Sequence, residues 1–442
     1  MLDREQAAKL TGKILAWSQY PECSVSVTES EVAHVRFARG GITTTGLSLR
    51  RTITIASTRE GRTGVVVAAE SSDDALKAAL KRSEEYAAIA PVNQEHVEPL
   101  GPQKYPELDA YDEQTASARG AVFVDQIRPV LERARKDNLI AAGLFSRTAT
   151  RAAIANKAGN FGFARTADAH LSTTLRRPDG SSSGWAGQPS RRIRDINGTE
   201  LAERAAGKCL RWTNPVRLEP GAYEVVLEPT AVSDLLAFAT FFAFSARAAE
   251  EGRSFFAKKG GGTQAGEKLF PEIITLRSDP FDPRYASLPW NQDQVPDSRI
   301  TWIEKGVLRN LFYDRFWAKQ SGHAPTPSPF NAILDGGTSS VEDLIAATRR
   351  GLLVTRFWYI RPLNPRTAQF TGLTRDGLFL IENGKVTQPV VNFRFNESPL
   401  RLLQNALQLG TPVRCRGGEG FGIVAPPMRA SDFHFASVSD AV

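Results

Sequence analysis

The polar and apolar positions of this chain change period early and change back more than once. Residues 3–19 place Ala7, Leu10, Ile14 and Trp17 at spacings of three and four, which predicts an opening amphipathic helix. The period then drops to two. Short alternating segments at 24–28, 32–37, 42–45, 52–56 and 64–68 are punctuated by Gly40, Gly41, Glu60 and Gly61, a pattern of antiparallel hairpins. Ser71, Ser72, Asp73 and Asp74 supply capping chemistry for a helix to about residue 88, and 112–136 reads as one long helix. More strands are expected over 140–177, then a helix over 200–211. The stretch from Asn214 and Pro215 to Pro220 and Gly221 is the expected boundary, dividing the chain into 1–215 and 216–442.

The second half opens with a strand-helix unit: Val225, Val226, Leu227, Glu228 and Pro229 run into an apolar helix over 230–242. Strands are expected at 272–276, 300–303, 352–360 and 378–381. Ser339 and Glu342 have the spacing of a capping box, Asn383 and Gly384 that of a tight hairpin, and 398–409 reads as a helix. Segregated helices and antiparallel strands give an α+β class: strands with long helices first, then a β-rich, barrel-like part.

At 442 residues and 41% hydrophobic content, two or more domains with substantial cores are possible. The first thirty residues do not resemble a signal peptide, and no apolar run reaches the roughly 18 residues that span a bilayer. Three cysteines (Cys23, Cys209 and Cys415), odd in number and far apart, suit a reducing compartment, so a cytoplasmic protein without membrane contact is expected. The formal charge of +7 is small against 55 basic and 48 acidic side chains. Arg176, Arg177, Arg191, Arg192 and Arg194 therefore read as a solvated face, and no nucleic-acid-binding module accompanies them.

Several motifs have bland readings. Gly180, Ser182 and Gly184 match Gly-x-Ser-x-Gly, but Pro178 and Asp179 before them and Trp185 to Pro189 after them describe a loop rather than a nucleophile elbow. Gly261 to Lys268 nearly matches a P-loop, yet Glu267 replaces the lysine and no Ser or Thr follows. The glycine run 417–422 lacks the helix of a dinucleotide fingerprint and reads as turn or edge strand. Cys415, between Arg414 and Arg416, reads as a strand thiol, and His434 as structural. The aromatic run Phe238, Phe241, Phe242 and Phe244 reads mainly as core, with a share left for a partner subunit.

The strand-helix unit, together with 372–385 (Gly-Leu-Thr-Arg-Asp-Gly-Leu-Phe-Leu-Ile-Glu-Asn-Gly-Lys), resembles the TldD/PmbA (TldE) family, related to metallopeptidases and also labelled modulator of DNA gyrase. Stretches 252–255, 306–310, 351–355 and 35–42 extend the resemblance. Catalytic members carry His-Glu-x-x-x-His after a Leu-Leu pair, and a cysteine seven residues before the Glu of Ile-Glu-Asn-Gly. Aligned on Leu235 and Leu236, this chain has Ala237, Phe238 and Phe242 at those helix positions, and Arg375 at the cysteine. A catalytic zinc needs about three protein donors and an open position. Alanine and phenylalanine offer no lone pair, and arginine is a permanent cation. The five histidines, His34, His96, His170, His323 and His434, form no His-x-x-x-His or His-x-x-x-x-His pair.

The resemblance thus implies a TldE/PmbA-like subunit with no catalytic or metal-ligating residues and no cofactor of its own. Its expected partner is a TldD-like subunit that carries the zinc, and the expected substrate of the pair is unfolded peptide. Two alternatives stay open: a self-standing enzyme with non-zinc chemistry, which a polar, convergent cleft at Arg356, Arg375 and Asp376 would favour, and a homo-oligomeric binding or structural protein.

Overall fold

The computed structural model describes residues 1–285, 287–417 and 422–439. The chain opens with α1 (Arg4–Trp17), β1 (Glu22–Ala38), β2 (Gly41–Arg59), β3 (Arg62–Ala68) and α2 (Asp73–Ile89). Next come α3 (Glu113–Ser117), α4 (Gly120–Lys136), β4 (Ile140–Asn156), β5 (Phe161–Arg176), β6 (Ser183–Ser190) and α5 (Gly198–Arg211). The six strands form one antiparallel sheet in the order β3-β2-β1-β4-β5-β6.

The expected short segments fuse into two strands, β1 and β2, of 17 and 19 residues. Charged residues in mid-strand are paired across the ladder. Fully buried Glu29 lies opposite Arg51 and accepts from its Nε at 2.5 Å, and Glu31 bonds Arg147, itself buried. Opposite charges facing each other across strands reinforce the sheet instead of ending it. The two expected turns are present, with positive φ at Arg39 and Gly40 and at Glu60 and Gly61, as two-residue type I′ connections require.

Two other expectations change. Residues 112–136 form two helices, because Ala118 is extended and its carbonyl accepts from Nε of buried Arg147 at 3.2 Å. The stretch expected as a loop after Gly180 becomes β6. Its glycine and serine content hides the strand pattern but lets α5 lie close: a Cβ on Gly184 would meet the Ala205 carbonyl at 2.1 Å. Ser182, the centre of the hydrolase-like motif, is buried and donates to the Cys209 carbonyl. On the helix-covered face, Phe123, Ile127 and Val130 of α4 pack with Phe37, Leu171 and Ala205, each large apolar side chain contributing about 1.5–3 kcal/mol. Arg191, expected on a solvated face, is buried against Asp109 and the Pro283 carbonyl.

The later residues begin with β7 (Gly221–Leu227), α6 (Pro229–Phe242), α7 (Ala246–Glu250), β8 (Leu276–Ser278), β9 (Ile300–Glu304) and β10 (Val307–Leu308). They continue with α8 (Arg315–Ser321), β11 (Ala332–Leu334), α9 (Val341–Ala346), β12 (Arg350–Val354), β13 (Phe357–Asn364), β14 (Gln369–Thr374), β15 (Leu378–Glu382) and β16 (Lys385–Pro389). The last elements are β17 (Phe393–Glu397), α10 (Pro399–Gln404), β18 (Ala406–Leu409), β19 (Val413–Arg416), β20 (Gly422–Ala425) and β21 (Met428–Val438). One sheet runs β10-β9-β8-β11-β20-β19. The other runs β13-β14-β17-β21-β7-β12-β15-β16, with β18 also on β21.

These elements also shift against expectation. Residues 272–273 form a turn, and the strand begins only at Leu276, in β8. The strand expected over 352–360 splits, since β12 pairs with β7 and β15 while β13 pairs with β14. The capping box is Ser340 with Asp343, and 398–409 is a short helix followed by β18. Asn383 and Gly384 do form the expected hairpin turn. Four residues of the glycine run, 418–421, lie outside the described residues. Among the described residues no helix is long and apolar enough to cross a membrane.

Candidate functional site

Helix α6 lies inside the core shared by the two later sheets. Its Leu235, Leu236 and Ala239 share one cluster with Leu276 and Trp302 of the first of these sheets and with Phe357 and Phe393 of the second. Pro229 occupies the first turn, where its missing N–H costs nothing. The helix is apolar on nearly every face, and the residues from Thr230 to Thr240 are all buried. Such a helix is held by packing rather than by propensity. Its one carboxylate, Asp234, is buried and accepts from the Phe357 N–H at 3.0 Å, which ties α6 to the start of β13. Gly417 crosses so near that a Cβ there would sit 1.5 Å from Asp234 Oδ1.

Ala237, Phe238 and Phe242 form an apolar wall. The Phe238 and Phe242 rings stack at 6.3 Å with planes 4° apart, and both meet Phe370, at 5.5 and 5.8 Å. Phe238 and Phe244 are buried, whereas Phe241 and Phe242 are 51% and 43% exposed. The aromatic run is thus part core and part surface. Phe241 also stacks on exposed Phe330 at 5.5 Å and meets Phe242 edge-on at 4.8 Å.

Arg375 follows β14, and its backbone N–H donates to the Arg356 carbonyl. Arg356, Arg375 and Asp376 do converge, the arrangement that the self-standing-enzyme alternative calls for. Asp376 and Arg356 are buried, their carboxylate and guanidinium 3.2 Å apart, and Arg375 lies 3.9 Å from the same carboxylate. Asp376 Oδ1 accepts from Ser183 Oγ of β6 at 2.6 Å. The Arg356 guanidinium lies over Trp185 and Trp358, and that of Arg375 over Trp358. Asp376 adopts a left-handed φ of 58°, which Asp and Asn tolerate better than most residues. The cluster joins the first sheet to the later residues.

Below it, Lys208 of α5 donates to Glu228, the N-cap residue of α6, at 2.6 Å. Burial pushes the Lys208 ammonium below its ordinary value, against the pull of Glu228. Cys415 is in strand β19, and burial pushes its thiol up to about 12, which leaves it protonated and unreactive. His434 lies in β21, where its backbone N–H donates to Glu397.

These residues do not fit a catalytic zinc. Two phenylalanines and an alanine occupy the helix positions, the arginine is held by carboxylate and indole, and no three His, Cys, Asp or Glu side chains gather among the described residues. Restoring the motif by Ala237→His, Phe238→Glu and Phe242→His is expected to destabilise the fold by at least about 3 kcal/mol. The loss combines a truncated aromatic contact with an unpaired buried polar group. Urea unfolding and elemental analysis check this: a triple variant as stable as the parent and carrying one zinc per chain would overturn it.

Residues 220–437 match the model of the PmbA/TldA metallopeptidase C-terminal domain. A TldD metalloprotease homolog of Haemophilus influenzae is 25% identical over 191 residues, covering 38% of this chain and 39% of that protein. A metalloprotease of Methanothermobacter thermautotrophicus is 25% identical over 242 residues, 50% of each. The chain therefore spans about half or less of the length of the curated relatives it matches. TldE from Thermococcus kodakarensis superposes with a TM-score of 0.84 at 20% identity, over 98% of this chain and 99% of its own. A Thermotoga maritima protein described as a modulator of a DNA gyrase gives 0.84 at 19% identity, over 97% and 99%. At these identities the two structures speak to the fold alone. Fold and sequence together define a metallopeptidase-related scaffold. Over residues 220–437 the chain is similar to the TldD/PmbA family.

Proposed function

We propose that this chain is the non-catalytic, TldE/PmbA-like subunit of a hetero-oligomeric zinc peptidase, completing the active-site enclosure of a TldD-like partner that acts on unfolded peptides. The carrying observation is the state of α6. At its metal positions the helix offers an aromatic wall, and the wall ends in the exposed rings of Phe241, Phe242 and Phe330. A contiguous exposed aromatic patch suits a protein interface better than open solvent. The alternative, a self-standing enzyme, would use Arg356, Asp376 and Arg375, but Asp376 is already committed to Ser183 and the two arginines. We read residues 1–215 and 216–442 as its two domains. We place it in the cytoplasm, in keeping with three buried free thiols.

The test is reconstitution with a zinc-bearing TldD-like protein of the same organism. Alone, this chain is expected to hold no stoichiometric zinc and to leave unstructured peptides intact. Mixed, the two are expected to co-elute on gel filtration at micromolar concentration, with an interface above about 1,000 Å², and only the mixture cleaves. A partner that cleaves equally well without this chain and elutes separately sinks the proposal.

A further inference from the structure

Between the first sheet and the β8-containing sheet lies a cavity of about 640 Å³, within the size range of ligand sites. Its apolar walls are Tyr285, Leu288, Trp290 and Phe330, and its polar ones include Asn331, Asp297 and Arg416. Three observations give it the character of a built site. Asn331 is 9% exposed, yet neither Oδ1 nor Nδ2 has a hydrogen-bond partner. A buried carboxamide with both faces unmet is destabilising, and a ligand amide can meet both at once. Arg416 makes no ion pair among the described residues, whereas Arg414 beside it is held by Asp168 through two bonds of 2.6 and 2.9 Å. Finally, Phe330 stacks on Phe241, so the cavity adjoins the aromatic rim of α6.

We propose that this cavity binds the carboxy-terminal end of a peptide. The carboxylate sits on the Arg416 guanidinium, the adjoining peptide group pairs with the Asn331 carboxamide, and an apolar side chain lies between Trp290 and Phe330. A planar guanidinium is the side chain best shaped to accept a carboxylate. Burial first, and then the charges of Arg416 and Arg414, push His170, on neighbouring β5, down to about 3. Partly buried Asp297, raised to about 6 by desolvation, offers the opposite charge to a ligand ammonium or N–H. The proposal rests on the peptide-handling role above, but its test needs no partner subunit and so fails independently of it.

Isothermal titration of the full chain uses N-acetyl-Gly-Gly-Phe, its C-terminal amide, and a 20-residue unstructured peptide with the same free end. The free acid is expected to bind at least about tenfold more tightly than the amide, about 1.4 kcal/mol. Equal affinity of the long peptide would identify chain ends as the ligand, and its failure to bind would identify free short peptides. Arg416→Gln is expected to erase the acid-amide difference, and Asn331→Ala to weaken both ligands. Phe330→Ala, at an exposed position that leaves the fold intact, is expected to weaken binding several-fold. Equal binding of acid and amide, no binding at millimolar peptide, or an unaltered preference in Arg416→Gln overturns the proposal.

Discussion

Replacing Asp376 by alanine is expected to lower stability by about 3–5 kcal/mol, the cost of removing one partner from a buried ion pair. The carboxylate is buried, accepts from Ser183 Oγ, and faces the Arg356 guanidinium at 3.2 Å. Its loss leaves Arg356 buried between two indoles with no counter-charge, and Arg356 Nε already has no partner. Alanine also tolerates the left-handed φ at this position poorly. Asp376→Asn separates the two contributions, since asparagine keeps the conformation and the bond to Ser183 but not the charge. It should therefore lose less than Asp376→Ala. Because Ser183 belongs to the first sheet, limited proteolysis should show the two halves of the chain loosening from each other before either unfolds. Unfolding free energies from urea titration within about 1 kcal/mol of the parent for both variants would show that the cluster is not what joins them.

This cluster also shows where the sequence was readable and where it was not. Hairpins at Arg39 and Gly40 and at Asn383 and Gly384 were legible because their signals are local: two residues that accept positive φ between alternating segments. The opening helix, α2, and the strand-helix unit were legible for the same reason. Failures came where a distant residue supplies the stabilisation. Nothing near Glu29 announces that Arg51 will lie opposite it and make one strand of two. The break between α3 and α4 depends on Arg147, and β6 depends on α5 settling onto Gly184. The cavity was not found at all. Asn331, Asp297 and Arg416 carry no shared spacing, and only the meeting of the turn before β11, strand β19 and the loop before β9 brings them together. The substitutions on α6 were visible in the chain; that Phe241 and Phe242 face outward while Phe238 and Phe244 face inward was not.

Charging that outward pair, as Phe241→Asp with Phe242→Asp, is expected to weaken association with a TldD-like partner at least about 30-fold. That factor corresponds to about 2 kcal/mol, the threshold for an aromatic hot spot. The fold of the isolated chain should survive, because both rings are about half exposed and the residues α6 packs inward, from Thr230 to Thr240, are untouched. A rival surface exists on the first sheet. Residues 41–52 of β2 pair with β1 alone, since β3 reaches only 53–59, and Leu47 and Leu49 stand 58% and 56% exposed along that open edge. An unpaired strand of this length can accept another chain. Leu47→Asp with Leu49→Asp is therefore the matched control, with equal added charge at a remote site. If it abolishes co-elution and cleavage while the α6 pair does not, the open strand is the interface and the aromatic rim is not. The opposite outcome ties assembly to α6. A rim shared by two subunits would also hold the cavity around Asn331 at their junction, because Phe330 belongs to both.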